Sequence, residues 1–158
     1  MTFDEFVAAR LTALVRYAAV LAGDRDLAQD VVQDALVKAH ARWARVQEPE
    51  AFVRRMIVRE YLSWRRRLLR RRALAVRLPA AGVVDDHAAA SVERADLVRR
   101  LSLLPPRQRA VVVLRYYEGL STAEIADLLG CTEGAVRTFH SRAMSNLRHS
   151  QADLEAIR

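Results

Sequence analysis

Cysteine is nearly absent from this chain of 158 residues, in which Cys131 is the only one. A single cysteine excludes a disulfide within the chain and any cysteine-rich zinc site. The carboxylates lie near no candidate nucleophile and no glycine-rich phosphate loop, so no catalytic arrangement is indicated. The four histidines are scattered without the spacing of metal ligands: His40, His87, His140 and His149. We therefore expect no catalytic residue, no metal and no cofactor.

Glycine, proline and aromatic residues are also scarce, at five, four and 6% respectively. Ala, Leu, Val and Arg dominate instead, and Ala, Leu and Arg are the residues that favour helices. No apolar run approaches the roughly 20 residues of a membrane-spanning helix, and the N-terminus lacks a signal-peptide pattern. The sequence predicts an all-α cytoplasmic protein that is not inserted in a membrane.

Positive charge is concentrated in one segment rather than spread over the chain. The formal net charge is +7, yet residues 51–77 alone hold ten arginines and one glutamate. The flanking segments are close to neutral or acidic, with net −2 over residues 1–50 and net +2 over residues 93–158. Such a concentration of positive charge indicates a polyanionic partner.

Three helices are predicted before residue 77, which we take as the end of a first domain. A capping box at the N-terminus and a glycine stop define the first, and a proline suits the start of the third. The second helix has a polar face, formed by Asp30, Gln33, Asp34 and Val37, that is either a solvated surface or a docking face. The predicted limits are Thr2 to Gly23, Asp24 to about Arg45, and Glu50 to about Arg72, after Pro49.

The third helix combines nine arginines with interleaved aromatic residues, among them Tyr61 and Trp64. Dense like charge is self-repelling unless a polyanion lies alongside. This pattern favours a nucleic-acid strand whose bases stack or are held open. A calmodulin-like helix and a helix lying on a membrane surface are the alternatives.

Residues 78–92 contain Pro79, Gly82 and two aspartates without periodicity, and we predict a flexible linker there.

A second domain, residues 93–158, is predicted to hold a helix-turn-helix. Ser121 opens its short helix through a capping box, Gly130 ends it, and Thr132 is a candidate N-cap for the next. On that next helix, short polar and cationic side chains face outward and suit base edges and phosphates: Arg137, Thr138, Ser141 and Arg142. An ordinary helical hairpin is the alternative.

These motifs resemble the extracytoplasmic-function (ECF) subfamily of bacterial sigma factors. The C-terminal domain carries, in order, LPPRQR, LRYYEGLS, EIADLLG and GAVR, and the N-terminal domain carries AGDRDLAQDVVQDALVKAHARW and PEAFVRRMIV. The resemblance covers most of the chain outside the linker. It implies a two-domain specificity subunit that binds core RNA polymerase and promoter DNA and is not itself an enzyme. An anti-sigma factor is a common partner in the family, although the sequence does not show one.

The resemblance also implies roles for individual residues. Those that would dock on core polymerase are Asp30, Gln33, Asp34 and Val37. Those that would bind and melt the minus-ten element are Arg45, Val46, Gln47, Arg55, Arg59, Trp64, Arg65 and Arg66, with the Ala44–Pro49 turn capturing a flipped base. Those that would read the minus-thirty-five element are Arg137, Thr138, Ser141 and Arg142. The chain departs from the family's common pattern at Phe139 and Arg59, where a basic residue and an asparagine are frequent.

Two other functions fit parts of the sequence. A stand-alone helix-turn-helix regulator would explain the C-terminal domain but not the arginine-rich helix. An adaptor that uses this helix on acidic protein or membrane surfaces would leave the helix-turn-helix unexplained.

Overall fold

The computed structural model describes residues 1–72 and 92–156, with side chains described as far as His149. The predicted linker therefore lies outside the described residues, except Val92, and so does the predicted end of the first domain at residue 77. The chain divides into two compact units, Met1–Gly82 and Val83–Arg158. Every regular element in the described ranges is helical, which confirms the all-α prediction.

The N-terminal unit is a bundle of three helices, α1 (Phe3–Ala22), α2 (Arg25–Ala41) and α3 (Pro49–Arg72). The capping box predicted at the start of α1 is present. Thr2 Oγ1 accepts from the Glu5 amide at 3.1 Å, and the Glu5 carboxylate accepts from the Thr2 amide. Gly23 ends α1 in the left-handed conformation, with a φ of 73°, and the first position of α3 is Pro49. Local residue preferences thus define these helix ends.

Three packed helices bury a core of small and branched side chains. Its largest fully buried members are Leu14, Leu21, Val32, Val53, Ile57 and Val58. Lys38 Nζ donates to the buried carboxylate of Glu60 and so ties α2 to α3. Each of the three helices turns one apolar face toward this core, so its other face is exposed to solvent.

Helix α2 is shorter than predicted, since it ends at Ala41 rather than near Arg45. Arg42 leaves the helical conformation, with φ −117° and ψ 8°, and a 3₁₀ turn follows over Trp43–Arg45. The indole of Trp43 packs edge-on against Phe3 at 5.3 Å and reaches Phe6 at 5.1 Å. This contact with α1, which the apolar periodicity does not reveal, accompanies the change of direction.

The C-terminal unit contains α4 (Val92–Ser102), α5 (Pro106–Val112), α6 (Thr122–Leu129) and α7 (Glu133–Ala156). The prolines before Arg107 and the glycine after Glu118 predict one helix between these residues, but the α-helix ends at Val112 and the chain widens into a π-helical turn over Val113–Tyr117. Helix α7, which the sequence predicts from Glu133 to about His149, continues to Ala156. Helix α5 and the turn bury a continuous row of residues from Gln108 to Leu114 against α6 and α7.

The apolar spacing over Glu93 to Leu104 predicts Leu97, Leu101 and Leu104 as buried anchors of α4, and the structure confirms this only in part. Leu101 and Leu104 are buried at 6% and 5% exposure, but Leu97 is 48% exposed and Val98 takes the buried position beside it. Helix α4 packs chiefly on α7, and that contact decides which of two adjacent apolar residues faces inward. Sequence spacing alone does not distinguish them.

Candidate nucleic-acid interface and docking face

The face of α2 that was predicted to dock is exposed in the structure. Asp30, Gln33, Asp34 and Val37 all lie on the solvent side, and Val37 keeps 67% of its surface accessible. Asp30 and Asp34 are four residues apart, so their like charges reinforce one another on one face. Within residues 1–72 and 92–149 no ion pair involves either carboxylate. This face therefore presents uncompensated negative charge beside an exposed aliphatic side chain.

An apolar groove of about 640 Å³ lies between α1 and α2, next to the acidic residues. Gln33 and Val37 belong to its wall, together with Leu11 and Leu36. The docking face thus combines negative charge with an apolar surface, which is the composition of many protein interfaces.

The segment between α2 and α3 forms the edge of a second cavity, of about 580 Å³. Four of the residues around it are among those to which the family resemblance gives a role at the minus-ten element: Arg45, Val46, Gln47 and Arg55. Glu48, of the turn expected to capture a flipped base, also lines it, and so do three residues to which the resemblance gives no role in DNA binding: Arg42, Ala51 and Phe52. Val46 and Phe52 supply apolar wall while the arginines supply positive charge, an arrangement suited to a base and its phosphate.

Aromatic contacts fix the start of this segment. Trp43 Nε1 donates to the Met1 carbonyl at 3.3 Å, and the rings of Phe3 and Phe6 flank the indole. The cavity is therefore bordered by a turn held against α1 rather than by a free loop. No spacing in the sequence indicates this, because the contact joins residues about forty positions apart.

The arginines of α3 do not form one surface. At about 100° per residue, Arg55, Arg59 and Arg66 share one side of the helix, and all three are exposed. Arg65 lies about 80° from Arg55 around the helix, and Trp64 lies on the core side; both are half-buried. Arg55 lines the cavity, and Arg59 and Arg66 continue the same side of α3 away from it. Trp64 is set apart from all three.

Arg54 belongs to an ion-pair network rather than to the basic row. Glu50 accepts from Arg10 Nε at 2.7 Å and from Arg10 Nη2 at 2.5 Å, and Arg54 Nη2 lies 2.8 Å from the same carboxylate. The Arg54 guanidinium also lies over the Tyr17 ring, 5.6 Å from its centroid. The hydrogen bond from Arg10, helped by the charge of Arg54, lowers the pKa of Glu50 against the opposing effect of its partial burial.

Acidification should destabilise the N-terminal unit through Glu50. A carboxyl whose folded-state pKa is lowered stabilises the fold above its unfolded pKa, about 4.3, and loses that stabilisation as pH falls through the folded value. The side chain is 33% exposed, so we expect an effect under about 1 kcal/mol. Urea unfolding between about pH 6 and pH 3 should show a shallower decline of the free energy of unfolding for Glu50→Gln than for the unaltered chain. Parallel curves would contradict this account.

The helix-turn-helix is present as predicted, with α6 and α7 joined at Gly130. Ser121 and Glu124 form the capping box, Gly130 has a φ of 66°, and Thr132 Oγ1 accepts from the Ala135 amide at 3.1 Å. Ile125 and Ala126 of α6 are buried, as are Val136 and Ala143 of α7. This packing holds α7 at a fixed angle to α6, as a recognition helix requires.

The predicted reading face of α7 is exposed. Arg137, Thr138, Ser141 and Arg142 all lie on the solvent side. Thr138 Oγ1 donates to the Gly134 carbonyl at 3.1 Å, which leaves its oxygen to accept from a donor. The face therefore offers two cations and two hydroxyls to a nucleic acid.

The helical wheel of α7 places His140 on the inward face and predicts a satisfied core histidine rather than a ligand; in the structure it has a hydrogen-bond partner but does not lie in the core. Its ring is half-buried at the edge of the packed face, and its Nε2 lies 2.7 Å from the hydroxyl of the exposed Tyr116. Partial burial lowers the pKa of His140, and the positive charge of Arg115 lowers it further. On the other edge of α7, Arg107 lies over the ring of Phe139, 5.9 Å from its centroid. Contacts from the α5 segment thus flank the recognition helix on both edges.

Over the described ranges, no helix is both long and apolar enough to cross a membrane. No group of three or more histidine, cysteine or carboxylate side chains there is arranged to hold a metal.

Sequence comparisons match both units to known families. Sigma-70 region 2 matches residues 6–72, and Sigma-70 region 4 matches residues 94–147. The chain is 37% identical to the RNA polymerase sigma-E factor of Streptomyces avermitilis, over 99% of this chain and 89% of that protein. It is 32% identical to the ECF RNA polymerase sigma factor SigL of Mycobacterium tuberculosis, over 99% and 90% of the two chains.

Solved structures agree with these matches. The sigma factor RpoE of Bartonella quintana, solved in complex with the anti-sigma factor NepR, has a TM-score of 0.64 at 25% identity, over 93% of this chain and 94% of that one. CnrH, solved with the cytosolic domain of CnrY, has a TM-score of 0.55 at 27% identity, over 98% and 88% of the two chains.

Proposed function

The chain belongs to the sigma-70 family of RNA polymerase sigma factors, in its extracytoplasmic-function subfamily, and we propose which of its residues bind the polymerase and which bind promoter DNA. A sigma factor binds core RNA polymerase and promoter DNA and directs where transcription starts. The stand-alone regulator is disfavoured because the family matches include the N-terminal unit, which that reading leaves unexplained.

The proposed docking site for core polymerase is the exposed face of α2. Asp30 and Asp34 would meet a basic surface of the polymerase, while Gln33 and Val37 would pack beside them. Charge complementarity of this kind speeds association and fixes register. The lack of ion pairs to either aspartate within the described residues supports the proposal, since both charges are free for an external partner.

The proposed minus-ten site is the cavity bordered by Arg45, Val46 and Gln47, together with the arginine row Arg55, Arg59 and Arg66. Unstacking a base costs a few kcal/mol, which a pocket and backbone contacts offset. Arg65 is proposed at the side of that row. Trp64 faces the core side of α3, so its contact with DNA requires the strand to pass around the helix. The observation that carries the melting proposal is the row of exposed arginines on one side of α3, which begins with Arg55 at the cavity.

The proposed minus-thirty-five site is the outer face of α7. Arg137 and Arg142 can pair with guanine edges or phosphates, and Thr138 and Ser141 can bond to either base edges or phosphates. The polymerase supplies the bond chemistry, and this chain performs none. We place it in the cytoplasm with the polymerase, and propose an anti-sigma partner because the Bartonella quintana relative was solved with one.

Promoter melting tests the proposed minus-ten site. Holoenzyme assembled with Arg55→Ala plus Arg59→Ala should open a promoter at least about 10-fold more slowly, because two phosphate contacts to the separated strand are lost. A 2-aminopurine placed in the minus-ten element reports opening by its fluorescence.

The control is Arg16→Ala, which removes an exposed arginine of α1 and should leave the opening rate unchanged. An artificial bubble across the minus-ten element should restore much of the loss if melting is what the variant lacks. Normal opening by the double variant would rule out this assignment of α3.

A further inference from the structure

Arg107 reaches across from α5 to the recognition helix. Its guanidinium carbon lies 5.9 Å from the centroid of the Phe139 ring, within the range of about 6 Å for a cation–π contact. Arg107 is exposed and Phe139 is half-buried. The arginine thus covers the ring and keeps its outer N–H groups in water.

The surrounding packing holds this contact in place. The neighbouring residue Gln108 is buried and accepts from Asn146 Nδ2 of α7 at 2.8 Å, which ties the start of α5 to the recognition helix. Phe139 and Arg142 are three residues apart, so they share one edge of α7. Within residues 1–72 and 92–149, no carboxylate pairs with Arg107.

A recognition helix in the major groove has a row of phosphates on either side. A fixed cation at its edge faces one of these rows, and a side chain that is already ordered loses less entropy on binding. Phe139 itself offers no hydrogen-bond donor to a phosphate, whereas the guanidinium stacked on it offers several.

We propose that Arg107 is a further contact to the phosphate backbone of the minus-thirty-five duplex and that Phe139 is the positioning residue that holds it there. The proposal rests on the proposed binding of this duplex by α7. It adds a residue outside the helix-turn-helix to the DNA-binding surface, and it explains how an aromatic residue at position 139 serves that surface.

The salt dependence of DNA binding tests the proposal. The full chain, assembled with core polymerase, is titrated on a promoter duplex over a series of salt concentrations. Arg107→Ala should weaken binding about 3- to 10-fold at roughly 0.1 M salt, equally for any minus-thirty-five sequence, and should lower the slope of log K against log salt by about 0.9. Arg107→Lys should keep most of the slope.

Phe139 variants test the positioning role. Phe139→Leu should weaken binding less than Arg107→Ala, and Phe139→Tyr should behave as the unaltered chain because it keeps an aromatic face. The double variant Arg107→Ala/Phe139→Leu should bind no more weakly than Arg107→Ala alone, since coupled residues are not additive. Additive losses would overturn the positioning role.

Two controls separate this proposal from the proposed function beneath it. Arg99→Ala removes an exposed arginine already paired with Asp96 at 2.7 Å and should leave the slope unchanged. Arg137→Ala should weaken binding in a sequence-dependent way if α7 reads the duplex.

An effect of Arg137→Ala without a slope change for Arg107→Ala would overturn only the Arg107 contact. No effect of either would remove the minus-thirty-five assignment itself. Weaker binding of Arg107→Ala to core polymerase without DNA, at unchanged slope, would place the contact on the polymerase and overturn the proposal.

Discussion

Reversing both acidic charges on α2, in the variant Asp30→Arg/Asp34→Arg, should lower the affinity of the chain for core RNA polymerase by at least about 100-fold. Like charges facing one another across an interface cost several kcal/mol, and each 1.4 kcal/mol is a factor of ten in affinity. The neutral variant Asp30→Asn/Asp34→Asn should lose less, because it removes attraction without adding repulsion. Binding of labelled chain to core polymerase, measured at two salt concentrations, gives both affinities.

The fold should survive this reversal. Both carboxylates are exposed and have no ion pair within the described residues, so their replacement removes no internal contact seen there. A reversal at an exposed acid of the other unit, Glu93→Arg, serves as the control and should bind core polymerase normally. Unchanged affinity of the aspartate variant, with a normal helical circular dichroism spectrum, would show that the docking face lies elsewhere.

Replacing the buried arginine of α5, in the variant Arg109→Met, should destabilise the C-terminal unit by about 3 kcal/mol. The side chain is only 4% exposed, and its Nη1 donates to the Ser102 and Leu104 carbonyls at 3.2 and 3.1 Å. Methionine is similar in length but has no donor. The substitution leaves the buried Leu104 carbonyl and the part-buried Ser102 carbonyl without this donor, and an unsatisfied buried group costs about 1–3 kcal/mol.

Tryptophan fluorescence does not report on this unit, because both tryptophans lie in the N-terminal unit. Native-state hydrogen exchange measures the effect locally. The amide of the buried Val111 should lose protection by about two orders of magnitude in Arg109→Met, the equivalent of about 3 kcal/mol at 1.4 kcal/mol per factor of ten. Arg99→Met, at an exposed position of α4, is the control and should leave protection within about 0.5 kcal/mol. Equal protection in both variants would mean that the carbonyls find other donors.

Helix ends were predicted well from sequence where one or two neighbouring residues determine them. The capping boxes at Thr2 and Ser121 and the left-handed glycines Gly23 and Gly130 are examples, because their chemistry is contained within a few residues. The early end of α2 and the π-helical turn after α5 were missed. Both depend on contacts or hydrogen bonds that the periodicity of apolar residues does not encode.

The candidate site shows the same division. Exposure of Asp30, Asp34 and Arg137 follows from helical periodicity, which places them opposite the apolar face. The cavity beside Phe52 and the stacking of Arg107 on Phe139 join separate helices. Such contacts become visible only when the packing of the helices is known.

Run-off transcription tests the central claim most directly. Purified core polymerase is given genomic fragments as templates, with and without this chain. The account predicts discrete start sites that appear only when the chain is added and that disappear with Asp30→Arg/Asp34→Arg. A folded chain that yields no initiation and does not co-purify with core polymerase, yet binds a palindromic duplex tightly by itself, would contradict the account and support a stand-alone DNA-binding regulator.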